Sequence, residues 1–369
     1  MKILLLTPDI EKRGGVANYY RTLRSHLNSS VEYLTVGTRS DDRCGMHGCR
    51  RMLRDYLTLW RKLKSGHYNI VHLNPSLMRK AIVRDALSCI LAKIYGVRVI
   101  VFIRGWDEAY ERIVRRHFLL PFRLVYFQAD SFIVLGSKFR DSLVEMGCHK
   151  PIYIETTVVP DEIFANPPSD AHRQRVSAQE FNILFLARIE KDKGIYETVD
   201  AFRILLARYS FVRMTIVGDG LELGEVREYV RIGGIEGITF GGYVCGEAKA
   251  SAFTNADVYV FPTMHGEGMP NSLLEAMAYG LPVITRPVGG VADFFEHGKM
   301  GFLTESKEPS IFAELLERLV TNEPLRKQMG DYNRSYAYDR FRASQVAKRL
   351  INIYGDVLAE DSQSAIHSR

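Results

Sequence analysis

The sequence predicts an α/β protein built from two doubly wound parallel sheets that face each other across a cleft. Three observations carry this. Short apolar runs alternate with helical patterns along the chain. Those runs are continuously apolar, as strands covered on both faces are. The rhythm also breaks once and restarts, and 369 residues suffice for two domains.

In the first half the expected strands are Lys2–Thr7, Val31–Val36, Ile70–Leu73, Val97–Ile103, Phe132–Leu135 and Ile152–Ile154, with helical patterns between them. The opening residues read as the first strand and not as a signal peptide, since Met1–Thr7 runs straight into Pro8-Asp9 without a small-residue cleavage site. The break falls at Pro160–Asp170, where Pro167 and Pro168 sit among polar neighbours and mark a linker. Strands then follow at Asn182–Ala187, Arg213–Val217, Ile238–Phe240, Val258–Phe261 and Pro282–Thr285. Helices are expected near Ser310–Val320, Leu325–Asp339 and Ala343–Leu358. Both halves are thus Rossmann-like, and a ligand belongs in the cleft.

Composition excludes several classes. With 46% hydrophobic and 25% charged residues the chain is ordinary globular material, and no apolar run reaches 18 residues. Five scattered cysteines suit reduced thiols. Cys44, His47 and Cys49 lie close together but lack a fourth ligand at finger spacing, so no metal is expected. The net charge of +6 is uneven: residues 1–168 carry 26 Lys/Arg against 16 Asp/Glu, and residues 169–369 carry 23 against 27. A basic half attracts nucleic acid, anionic lipid or phosphorylated substrates. No nucleic-acid-binding motif accompanies it, so nucleic acid ranks last.

Three segments carry chemistry. After the Val258–Phe261 strand comes a glycine-containing loop with Glu267, Gly268, Met269 and Pro270. A helix capped by Asn271 follows, with Glu275 one turn in, ending at Gly280. Free backbone N–H groups there favour an anion, while Glu267 and Glu275 suit sugar and ribose hydroxyls. The second segment is Ala187-Arg188-Ile189-Glu190-Lys191-Asp192-Lys193-Gly194, with Asp192 as a cap. Lysines at a helix's positive end are unfavourable unless an anion is present. Arg188 can fork two phosphate oxygens, and Lys193 adds a point charge. The third is the loop carrying Gly14-Gly15 after the first strand, where backbone can approach a phosphate or sugar. It lacks the third glycine of a dinucleotide fingerprint, which disfavours a nicotinamide oxidoreductase.

Together these segments resemble the retaining glycosyltransferases of the GT-B fold, family four, the group 1 glycosyl transferases. The likeness runs along nearly the whole chain and is strongest from Phe181 to Glu296. The family's glutamate–seven residues–glutamate motif matches Glu267 and Glu275, its basic pair Arg188 and Lys193, its N-terminal glycines Gly14 and Gly15, and its later Pro-Val and Gly-Gly Pro282-Val283 and Gly289-Gly290.

The resemblance implies roles. Arg188 and Lys193 would hold the leaving diphosphate, with Glu267 at the transferred sugar as the third catalytic group. Glu275 would bind the ribose. Gly15, Gly268, Met269 and Asn271 would contact sugar or phosphate, and Gly218, Tyr243 and Val244 would line the nucleotide end. It implies an acceptor-binding domain at 1–165, a donor-binding domain at 166–340, and a helix at 341–369 crossing back to the first domain with a flexible tail. Retention is ascribed in this family to attack from the leaving-group face. No metal or other cofactor is implied beyond the nucleotide-sugar co-substrate. The acceptor would be a glycan or a lipid-linked hydroxyl in cell-surface polysaccharide biosynthesis, in a cytoplasmic protein, with a peripheral membrane position left open. Where the family often has a histidine after the fourth strand, this chain has Arg104, which cannot act as a base at neutral pH. Arg104 suits a phosphate or acidic sugar. Asp107 is a nearby acceptor group or, more simply, a helix cap. A sugar-nucleotide epimerase and a catalytically silent binding subunit are the competing readings.

The basic half also offers a surface. Over Arg50–Lys64 a helical pattern puts Leu53, Tyr56, Leu57, Trp60 and Leu63 on one face, flanked by Arg50, Arg54 and Arg61. Further on, Arg112, Arg115, Arg116 and Arg123 surround an apolar stretch. These suit an anionic membrane surface, or equally an ordinary core-facing helix with a solvated flank.

Overall fold

The computed structural model describes residues 1–27, 29–37, 47–165, 180–264 and 266–364, excluding the side chains of 47–49 and 360–364. The chain forms two units. One comprises Met1–Val158, Gly266–Met269 and Ala343–Arg369; the other comprises Val159–His265 and Pro270–Arg342.

The first unit holds a parallel six-stranded sheet of β1 (Ile3–Thr7), β2 (Val31–Thr35), β3 (Ile70–Leu73), β4 (Arg98–Phe102), β5 (Ser131–Val134) and β6 (Ile152–Ile154), in the order β2-β1-β3-β4-β5-β6. β1, β3 and β5 are buried along their whole length, as strands covered by helices on both faces must be. The long last helix, Ala343–Ser364, belongs to this unit. Its Arg349 grips the buried Glu155 with two N–H···O bonds of 2.9 Å, and its Tyr354 hydroxyl lies 2.9 Å from Nδ1 of His72.

The second unit holds β7 (Phe181–Leu186), β8 (Val212–Val217), β9 (Ile238–Gly242), β10 (Val258–Phe261), β11 (Val283–Thr285) and β12 (Gly301–Leu303), again all parallel. The order β12-β11-β10-β7-β8-β9 is the 3-2-1-4-5-6 winding of dinucleotide-binding sheets, read from the far edge. β12 escaped sequence analysis: it opens on Gly301, so only Phe302 and Leu303 carry an apolar signal. The predicted helices are present at Pro309–Val320, Glu323–Arg340 and Ala343–Ser364.

Winding direction reverses between β1 and β3 in the first sheet and between β7 and β10 in the second. Ligands of open α/β sheets bind outside the strand ends at such points. The Gly14-Gly15 loop follows β1, and the Arg188–Lys193 loop follows β7.

Cys89 and Cys148 are buried free thiols, and Cys245 is an exposed one. Cys44 and the side chains of His47 and Cys49, raised as metal candidates, lie outside the described residues.

Candidate functional site

In the second unit the switch point is closed by backbone. After β7 the chain runs through Arg188, a 3-10 turn at Lys191–Lys193, and Gly194, which caps the helix Ile195–Leu206. Gly194 has φ 77°, and a Cβ there would meet Pro262 O at 2.6 Å, so only glycine fits. Asp192 does not cap with its side chain. Its carbonyl instead accepts from Met264 N at 2.8 Å, which ties the loop after β7 to the loop after β10. The turn after β8 presses on the same loop: a Cβ on Gly218 would lie 1.8 Å from Ala187 O, and Ile189 N donates to Asp219 O at 2.8 Å. Gly218 thus serves first to let two backbones touch.

This framework aims the cations differently. Lys193 is buried at 4% exposure, whereas Arg188 stands out in solvent with its guanidinium 2.7 Å from Glu190. The exposed arm can swing to an incoming anion. The buried lysine is already ordered.

Glu275 lies in the helix Asn271–Ala278 and is 4% exposed. Its carboxylate sits 2.7 Å and 2.5 Å from Nζ of Lys249, on the helix Gly246–Thr254. A buried carboxylate is costly without a charged or hydrogen-bonded partner, and Lys249 supplies one. Sequence reasoning missed Lys249, because its partner lies 26 residues further on and no local pattern links the two. Asn271 is not the N-cap expected: the extended residue before the helix is Pro270. Asn271 is the first helical residue, and its Oδ1 is buried with no partner among the described residues. Val244 is half-buried beside the exposed Tyr243, just past β9.

The first unit brings Gly14, Gly15, Arg104, Asp107, Glu267, Gly268 and Met269 into one body. Gly14, with φ 150°, precedes the helix Gly15–Leu23, and a Cβ there would meet nothing within 4 Å. Behind it the switch point is plugged by side chains. The Tyr20 hydroxyl donates to Asn74 Oδ1 at 2.6 Å and lies 3.2 Å from His72 Nε2, while Asn74 Nδ2 donates to Leu6 O at 2.8 Å. Burial, then the nearby charge of Arg104, pushes the His72 pKa down to about 3, so the ring is neutral.

Arg104 is buried and stacked, its guanidinium carbon 3.8 Å from the Tyr19 ring centroid and 4.2 Å from that of Phe102. Its Nε and Nη1 find no acceptor among the described residues. Asp107 is a helix cap: Oδ1 accepts from Ala109 N at 2.9 Å and Tyr110 N at 3.0 Å. The Gly266–Met269 segment packs tightly, since a Cβ on Gly268 would lie 2.7 Å from both Arg104 O and Leu135 Cδ1. Glu267 is half-buried there.

Residues 169–336 match the family model described as glycosyl transferases group 1. Among curated proteins, the chain is 31% identical over 182 residues to the capsular polysaccharide biosynthesis glycosyltransferase CapM of Staphylococcus aureus, covering 49% of this chain and 47% of that protein. It is 31% identical over 188 residues to the phosphatidyl-myo-inositol mannosyltransferase of Mycobacterium leprae, covering 50% and 49%. The matches span about half the length of these curated relatives. Among solved structures, Anabaena HepE in complex with UDP aligns with TM-score 0.72 at 18% identity, over 96% of this chain and 100% of that one. Sucrose-phosphate synthase of Thermosynechococcus elongatus aligns with TM-score 0.76 at 17% identity, over 98% and 100%. At such identities the likeness speaks to the fold, which is that of the GT-B glycosyltransferases. The likeness to the group 1 glycosyl transferases therefore lies in the domain at residues 169–336.

Proposed function

We propose that the protein is a retaining glycosyltransferase that moves a sugar from a nucleotide-diphosphate sugar to a hydroxyl of a glycan or lipid-linked acceptor, in building a cell-surface polysaccharide. One observation supports this most. At the β7/β10 switch point the Arg188–Lys193 loop, the Gly218 turn and the loop after β10 are locked together by backbone contacts. The donor diphosphate lies over this point. Lys193 and Arg188 neutralise the charge that grows as it departs, and a cation already in place needs little rearrangement when it does. Glu275, paired with Lys249, accepts from the ribose hydroxyls; Gly218 and Val244 border the nucleotide. Asn271 presents its unpartnered Oδ1 to the donor. Gly14, Gly15, Gly268 and Met269 offer backbone to sugar or phosphate, Glu267 takes sugar hydroxyls, and Arg104 takes an anionic substituent. The UDP bound by HepE makes a uridine nucleotide the first donor to try.

The test is a thermal-shift screen of UDP-, GDP- and ADP-sugars on the pure protein, followed by donor turnover with and without acceptor. A shift with one nucleotide class, with turnover lost in Lys193→Ala, is the expected result. Conversion of the donor to an isomer without sugar release would instead identify an epimerase. Binding without turnover under any acceptor would identify a binding subunit.

A further inference from the structure

The first unit exposes apolar side chains that a water-facing surface has no use for. Of the 22 exposed large hydrophobic residues among those described, 14 lie between Met52 and Leu124. The helix Arg50–Lys64 was expected to direct Leu53, Leu57 and Trp60 with Tyr56 and Leu63. Instead Leu59 and Leu63 face inward, as does the buried Asp55, which accepts from Gly37 N at 3.0 Å. Leu53, Leu57 and Trp60 are left outside. On the helix Arg79–Ile94, Val83, Leu87, Ile90 and Ile94 form an exposed stripe at helical spacing. No described helix is long and apolar enough to cross a membrane.

The stripe borders a groove of about 710 Å³ between this helix and the segment Glu108–Tyr126. Its walls include Ile82, Val83, Leu87, Ile113, Phe118 and Phe122, and among the described residues Arg79 is its one charged lining residue. Arg79 also lines the adjoining hollow, with Lys80. No carboxylate among the described residues pairs with Arg79, Lys80, Arg112 or Arg116. Two other arginines expected on this surface are spent inside the unit: Arg115 bonds Glu111, Ser142 and Glu145, and Arg123 bonds Met146 O.

We propose that this groove takes the hydrocarbon chain of an anionic lipid, with Arg79 over the phosphate of its head. The inference rests on the transferase reading and names the carrier of its acceptor hydroxyl as a phosphate-bearing lipid. An extended peptide is the poorer occupant, because its N–H and C=O groups would find almost no partners along these walls. A hydrocarbon chain makes no such demand, and the unpaired cations supply the complement to an anionic head.

The probe is decyl phosphate below its micelle concentration, titrated calorimetrically into the full chain, with decanol and inorganic phosphate in parallel. Saturable binding is expected, weakened at least about tenfold by Leu87→Trp, which fills the groove, and about fivefold or more by Arg79→Ala. Leu221→Trp, on the other unit, leaves it unchanged, decanol binds more weakly, and inorganic phosphate does not displace the probe. Equal affinity in wild type and Leu87→Trp, or no binding, overturns the proposal; so does a Leu87-dependent dimer that ignores decyl phosphate. The nucleotide-sugar thermal shift on the same samples separates the two ideas. A shift retained without decyl phosphate binding sinks only the groove, whereas groove binding without any nucleotide shift sinks only the transferase reading.

Discussion

At the winding reversal of the first sheet, the space beyond the strand tips is filled by side chains: Tyr20, His72 and Asn74 bond one another, and Arg104 lies across Tyr19 and Phe102. At the reversal of the second sheet it is closed by peptide groups. Glycines at 194 and 218 let three loops touch, with Arg188 exposed and Lys193 buried on the loop after β7. A plug of side chains is sensitive to charge and protonation. A knot of backbone is sensitive to single added carbons. The outer surfaces differ as well, since the first unit exposes most of the large apolar residues.

That contrast can be broken experimentally. The largest effect is expected from Arg349→Ala, which strands the buried Glu155 carboxylate and should cost the first unit about 3–5 kcal/mol. Both tryptophans, Trp60 and Trp106, lie in that unit, so a fall in the fluorescence-monitored denaturation midpoint reads it directly, and an unmoved midpoint refutes it. Next, Lys193→Ala should lower donor turnover about 10²–10³-fold while leaving that tryptophan signal in place; a parallel fall in the midpoint would mean the lysine is structural for both units.

Acid should act on the first unit through His72. Folded, the ring resists a proton down to about pH 3; unfolded, it accepts one near its ordinary value of 6.5. Between those limits the unfolded state binds more protons, so the stabilisation is complete above pH 6.5 and declines by about 1.4 kcal/mol per pH unit as pH falls toward 3. The slope should flatten in His72→Phe, and an unchanged slope would assign the acid sensitivity elsewhere.

The two glycine turns make a sharper pair. Gly218→Ala forces a carbon to within 1.8 Å of Ala187 O and strains φ at 144°, for about 1–3 kcal/mol or more from the second unit. Gly14→Ala carries only the φ strain, since nothing lies near, so its larger consequence should be a raised KM for donor or acceptor. Equal melting losses in both variants would undo the distinction. The smallest effect, about 1 kcal/mol, is expected from Asp107→Ala through loss of its cap, with the donor KM unchanged; a KM shift would return Asp107 to the substrate.

Eleven of the twelve described strands were legible, the clearest being β1 and β10, which are buried along their whole length and written as unbroken apolar runs. The Arg188–Gly194 and Glu267–Glu275 segments were legible because turn, cap and charge signals lie within a few residues of one another. Asn271 was misjudged as a cap because Pro270 had already taken the extended position. Over Arg50–Lys64 the expected apolar face is divided, because Leu63 is buried with Leu59 while Leu53, Leu57 and Trp60 are exposed.

Local chemistry alone therefore determined the strand-and-helix alternation, the two-domain plan and the loop cations, since each depends on neighbours in sequence. Only the folded chain decided that Lys249 faces Glu275, that Arg349 meets Glu155 across 194 residues, and which apolar residues stay outside. Those outcomes hang on burial and on partners far apart in the chain, and a charge or a methyl group carries no record of its distant neighbour.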